Sequence, residues 1–165
     1  MESEAEARVS QPGFSALCSR VAPDLVGRLM TELVGTFFVC FAVSTASGDL
    51  AAISIGGTLM VMTFAGSHVS GAHYNPAVTL GVYVRGALEL PDALLYCVAQ
   101  VAGSFLAGGF AYLMTQNDAG TNEDSFGYPS LGDGVSLGQA YLAEIIMTFA
   151  LTYTAPRGHH QGTGR

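Results

Sequence analysis

The fold of this chain is decided by the stretch Ser70-Gly71-Ala72-His73-Tyr74-Asn75-Pro76-Ala77-Val78-Thr79-Leu80, which lies between two long apolar segments. Asparagine is a favoured N-cap, and proline fits the first helical position, where its missing N–H is not needed. The stretch therefore predicts a short helix over 75–85, about 15 Å long, or half of a roughly 30 Å hydrocarbon core. Irregular backbone at membrane depth is tolerated only when it is buried in protein or lines a water-filled cavity. The stretch thus predicts a pore or a substrate site.

The composition indicates a membrane protein. Only 12% of the 165 residues are charged and 50% are hydrophobic, whereas a soluble domain carries about 25% charged residues. No basic patch suggests nucleic acid, and no nucleophile constellation or phosphate loop suggests an enzyme or a cofactor. The cysteines form no pair by spacing, and Cys40 and Cys97 lie in apolar runs where they fill volume.

The distribution of apolar segments predicts one membrane domain over 24–155. A disordered cytoplasmic tail is expected over 1–23, and a polar tail over 156–165. Small residues at four-residue spacing, Ala99, Gly103 and Ala107, are typical of a close contact between membrane helices. The predicted spans are about 24–46, 50–67, 93–114 and 137–155, and the half-helix 75–85 lies between the second and the third.

The arginines predict the orientation. The chain has no lysine, and threading four spans places all six arginines on one side. The loop over 116–136 carries four acids and no arginine, and it lies on the opposite side. Cytoplasmic loops are enriched in positive charge, so both termini are predicted to be cytoplasmic.

An internal repeat is visible as Glu-x-x-x-Thr-Phe. It occurs from Glu32 to Phe37 and again from Glu144 to Phe149. The first copy begins a span leaving the cytoplasm and the second begins one returning to it, which is typical of an inverted-topology repeat. The alternative is chance similarity between two apolar helices.

The eleven-residue stretch around Asn75 resembles the first Asn-Pro-Ala signature of the aquaporin and aquaglyceroporin channels, the major intrinsic proteins. The resemblance covers residues 24 to about 154. It implies an all-α, aquaporin-like inverted-repeat bundle that is incomplete, with four spans and one re-entrant half-helix. The implied function is passive transport of water or small neutral solutes such as glycerol. The resemblance also implies a homo-oligomer, since channels of this family form tetramers.

The same resemblance leaves a second function open. By the repeat, a second Asn-Pro-Ala half-helix is expected past Arg165, so this chain is expected not to conduct alone as full-length relatives do. The alternative is therefore a truncated, non-conducting form that associates with full-length channel subunits and modulates them.

The predicted pore residues surround the start of the half-helix. The amide of Asn75 can donate to a permeating oxygen while the helix terminus behind it repels cations. Pro76 and Ala77 shape the turn, and a ladder of carbonyl acceptors is expected from Gly71, Ala72 and His73. By its distance from Asn75, Ile55 occupies the place where many water-selective members of the family carry Phe or His. An aliphatic residue there would widen the constriction or make it less polar; the alternative role for Ile55 is core packing.

A structural network is expected around the intramembrane acids. The resemblance implies that Glu144 hydrogen-bonds the loop around His73, and that Glu32 is left as an unsatisfied buried acid. Gln100 resembles the glutamine of the family's third helix and is expected to bond within the bundle. A metal site is not predicted, because His68 and His73 lack the i,i+4 spacing of a zinc pair.

Overall fold

The fold is all-helical in the part of the chain that the computed structural model describes, residues 14–115, 131 and 134–155. Five helices follow one another there: α1 Phe14–Thr45, α2 Ala51–Gly66, α3 Pro76–Val84, α4 Leu90–Thr115 and α5 Leu137–Thr154. α3 has 9 residues and is the predicted half-helix. The predicted all-α class is confirmed.

Two helix starts differ from the prediction, and both involve a proline. α1 begins at Phe14, so 14–23 are helical rather than a disordered tail. Pro23 lies inside α1, where it removes one backbone donor without ending the helix. α4 begins at Leu90, because Pro91 falls in the first turn, where its N–H is not needed. The remainder of the predicted N-terminal tail, the tail over 156–165 and most of the acidic loop lie outside the described residues.

Among the residues that the structure describes, two helices are long and apolar enough to cross a membrane. These segments are Asp24–Thr45 within α1 and Leu90–Met114 within α4, of 22 and 25 residues. α2 is apolar but has 16 residues, and α5 has 18. Both occupy the positions predicted for the second and fourth spans, while their crossing of a membrane stays a prediction.

The packing of α1 against α4 depends on small residues. Ala99 and Ala107 are buried, and Gly103 lies so close to α1 that a Cβ there would overlap the Leu33 carbonyl oxygen. The predicted small-residue face is thus confirmed. One turn further along, the rings of Phe37 and Phe110 pack edge to face with centroids 5.7 Å apart. Small and aromatic residues together bring the two backbones into direct contact.

The distribution of polarity is the reverse of that in a soluble protein. Glu32, His73, Thr79 and Gln100 are buried, whereas large apolar side chains cover the outside, as shown by Phe64 at 86% exposure. A polar interior surrounded by apolar side chains fits a bundle in hydrocarbon, where each buried polar group must find an internal partner.

Candidate functional site

The start of α3 is capped by Asn75. Its φ of −155° is extended, and its side-chain oxygen accepts a hydrogen bond from the Ala77 N–H at 2.8 Å. Pro76 occupies the first helical position, and the Asn75 carbonyl accepts from the Thr79 N–H at 3.0 Å. Because the cap uses only the oxygen, the amide nitrogen of Asn75 keeps both protons, and it donates to none of the described residues.

The loop that leads into α3 is held by Glu32 of α1. One carboxylate oxygen accepts from the Ser70 hydroxyl at 2.6 Å and from the His73 N–H at 3.0 Å. The other accepts from the Tyr74 N–H at 2.7 Å and from the Gln100 amide at 2.8 Å. Glu32 is completely buried, so these four bonds satisfy a carboxylate that has no access to water.

A second layer of side chains completes the network. Gln100 also donates to the Thr79 hydroxyl at 2.9 Å, and that hydroxyl lies 3.2 Å from Nδ1 of His73. The hydroxyl of Tyr96 donates to the Ser70 carbonyl at 2.9 Å. Side chains of α1, α3 and α4 thus converge on a single loop and fix its backbone.

These contacts correct two predictions about the acids. Glu32 is fully hydrogen-bonded rather than unsatisfied, and Glu144 lies outside the network. Glu144 is exposed and bonds to no residue in the described segments. The reason is the packing: α1 contacts α2 and α4, which carry the loop and Gln100, whereas α5 contacts α3. At that contact a Cβ on Gly81 would overlap Thr152.

The backbone of the loop contains two residues in strained conformations. Ala72 and Tyr74 have positive φ angles of 53° and 49°, which side chains larger than glycine rarely adopt. Such conformations cost on the order of 1–3 kcal/mol each and persist only when the surroundings enforce them. The bonds from Glu32 to the His73 and Tyr74 N–H groups supply that enforcement. In the described part of the chain no donor reaches the carbonyls of Gly71, Ala72 and His73, so they remain available as acceptors.

A cavity of about 500 Å³ lies beside this loop, between α2 and α5. Its wall is mostly apolar, and the polar residues in it are Thr63, Ser67, His73 and Thr154. Ile55 is half-buried on α2 and does not line it; Gly56, the next residue, does. The lining residues are Gly56, Leu59, Met60, Thr63, Phe64, Ser67, Ala72, His73, Val78, Leu151, Thr154 and Ala155.

Sequence reasoning missed three members of the network: Ser70, Thr79 and Tyr96. Ser70 and Thr79 belong to the stretch that predicted the half-helix, and their hydroxyls at membrane depth were a signal that partners were needed. Tyr96 lies four residues before Gln100 on the same face of α4, so the helical spacing could have identified it.

Comparison with known proteins points to one family. The family model of the major intrinsic proteins matches residues 19–157. A probable aquaporin of TIP type from Medicago truncatula is 33% identical over 148 residues, covering 80% of this chain and 56% of the relative. Aquaporin Z from Photorhabdus laumondii is 30% identical over 142 residues, covering 75% and 62%. Aquaporin PIP2-1 from Arabidopsis thaliana is 38% identical over 106 residues, covering 61% and 34%. The chain thus spans about half the length of these relatives.

Proposed function

This chain belongs to the major intrinsic protein family, and we propose on that premise that it passes water or small neutral solutes across a membrane by diffusion. It is an integral membrane protein. The relatives compared above are named aquaporins, and transport by this chain is proposed from its similarity to them. The proposed transport involves no catalytic chemistry.

The observation that carries the proposal is the capped start of α3. Asn75 keeps its two amide protons at the N-terminus of a helix, which carries about half a unit of positive charge. A permeating oxygen can accept from that amide, and it can donate to the open carbonyls of the loop. A cation meets the positive end of the helix dipole and is disfavoured. Neutral molecules that both donate and accept hydrogen bonds are therefore the preferred substrates.

The polar network supports this role by fixing the loop. A site that replaces the hydration of a passing molecule needs acceptors and donors at constant positions. Glu32 and Thr79 bond directly to the segment from Ser70 to Asn75, and Gln100 donates to both of them, through bonds of 2.6 to 3.2 Å. All three side chains are buried, so these bonds do not compete with water.

Flux through reconstituted liposomes tests the proposal. The transport proposal requires that copies of this chain complete a pore together, whereas the non-conducting alternative predicts no flux from the chain alone. Under the transport proposal, the full chain is expected to give protein-dependent shrinkage or swelling with water and glycerol. Asn75→Ser keeps an oxygen for the N-cap but lacks the amide donor, so it should lower flux at least several-fold with α3 intact. Asn75→Asp keeps the cap and places a negative charge at the pore, and it should abolish neutral-solute selectivity. Flux that is equal in all three proteins, or no protein-dependent flux, contradicts the proposal.

A second candidate function is suggested by α5, which has no buried residue in the described structure. An apolar helix without a buried face fits association with further helices, supplied by a second copy or by a full-length channel subunit. We propose that assembly of this kind forms an oligomer and, from the distribution of the arginines, that both termini lie on the cytoplasmic side. Co-reconstitution with a full-length aquaporin, followed by cross-linking and flux measurement, distinguishes a modulator from a channel.

A further inference from the structure

Tyr74 lies directly before Asn75 and is 4% exposed. Its ring packs against glycines of two different helices. A Cβ on Gly35 of α1 would overlap the ring, and a Cβ on Gly66 of α2 would overlap the hydroxyl. The phenolic O–H donates to the Met62 carbonyl of α2 at 2.9 Å. One side chain therefore touches α1 and α2 while its own backbone forms the entry to α3.

The backbone of Tyr74 is held as firmly as its ring. Its N–H donates to Glu32 at 2.7 Å, and its φ of 49° is a conformation that a bulky residue adopts only under constraint. A strained residue fixed at both its amide and its hydroxyl cannot rotate without breaking one of these contacts. The residue that follows it, Asn75, is positioned accordingly.

The hydroxyl bond ends on α2 at Met62, which does not itself line the cavity but lies next to residues that do. Met62 adjoins Thr63, and Thr63 and Ser67 both line the cavity on the α2 side. From this geometry we infer that Tyr74 is a positioning residue that sets the spacing between the α2 wall and the loop residues Ala72 and His73 at the cavity, and thereby the size of solute that passes. The size-selection part of this inference rests on the proposed transport function.

The substitution Tyr74→Phe tests the inference, since it keeps the ring in its slot and removes only the bond to α2. Without that bond the α2 wall can move away from the loop, so larger solutes should pass more readily. The expected result is a rise of at least two-fold in the glycerol-to-water permeability ratio of proteoliposomes. After the permeability of protein-free liposomes is subtracted, the ratio is independent of the amount of folded protein, so a merely structural loss would leave it unchanged. Tyr83→Phe on α3 is the matched control, because the Tyr83 hydroxyl bonds to none of the described residues.

A labelling measurement separates this inference from the transport proposal. In a background without native cysteines, Ser67→Cys reports the opening of the cavity through its rate of reaction with a small water-soluble thiol reagent. Tyr74→Phe should raise that rate at least two-fold, and Tyr83→Phe should not. An unchanged permeability ratio in a conducting preparation overturns the inference. If the parent protein gives no flux, the transport proposal fails, and an unchanged labelling rate then overturns the role of Tyr74 as well.

Discussion

Replacing Glu32 by glutamine should release the loop that precedes α3. The carboxylate accepts two donors on each oxygen, whereas glutamine offers one oxygen and one NH₂ group. If the NH₂ group faces Tyr74 and Gln100, two donors lose their acceptor. If it faces the other side, the Ser70 hydroxyl can turn to accept, but the His73 N–H is left unpaired. At least one buried backbone donor is orphaned in either orientation.

The magnitude follows from these losses. An unsatisfied buried donor costs about 1–3 kcal/mol, and hydrogen bonds to a charged acceptor are roughly twice as strong as neutral ones. One orphaned donor and two or three weakened bonds together give about 2–5 kcal/mol. Since every 1.4 kcal/mol is tenfold, local opening of the loop should become roughly 30-fold more frequent at the lower figure.

Hydrogen exchange of the detergent-solubilised chain measures this opening. Peptides covering residues 70–77 should exchange faster in Glu32→Gln by that factor, while peptides from the outer half of α4 should change little. Glu144→Gln is the matched control, since it alters the equivalent acid of the repeat, which bonds to no described residue, and should leave exchange over residues 70–77 unchanged. Equal acceleration in the two variants would refute the assignment of Glu32 as the anchor of the loop.

Two further outcomes are expected. Gly103→Ala should destabilise the chain by about 1–3 kcal/mol in reversible unfolding from mixed micelles, because the added Cβ meets the Leu33 carbonyl. Gly108→Ala is the control, since there is open space around Gly108 and no destabilisation is expected. Similar losses of stability in both variants would contradict the close contact between α1 and α4. A cysteine at Glu123 should react with an impermeant reagent from outside intact cells and one at Arg85 should not, and the reverse pattern would overturn the predicted orientation.

The start of the half-helix could be predicted from sequence because its determinants are local. An asparagine cap followed by proline acts within one turn, so the motif around Asn75 was sufficient. The small-residue face of α4 was equally accessible, since its four-residue spacing needs only helical geometry. The family resemblance added the overall architecture, which composition alone had left open.

The pairing of the two repeat-related acids could not be predicted in the same way. Glu32 and Glu144 occupy identical positions in two copies of one motif, so their local sequences do not say which faces the loop. The choice is made by packing: α1 lies against α2 and α4, and α5 lies against α3. Residues 14–23 are helical, although a disordered tail was predicted there. Pro23 lowers the local helix propensity, but it does not determine where a long helix begins.

The bonds of Glu32 also imply an order of events during biosynthesis. Its partners in the loop are 38 to 42 residues away along the chain, whereas Gln100 is 68 residues away. Because chains emerge at about 5–20 residues per second, the loop can settle on Glu32 seconds before Gln100 has been synthesised. Gln100 and Tyr96 then arrive on α4 and close over an acid that is already partly satisfied. A nascent chain that ends shortly after α3 already contains Glu32 and its three donors in the loop. The network can therefore form first around Glu32, and its members on α4 join later.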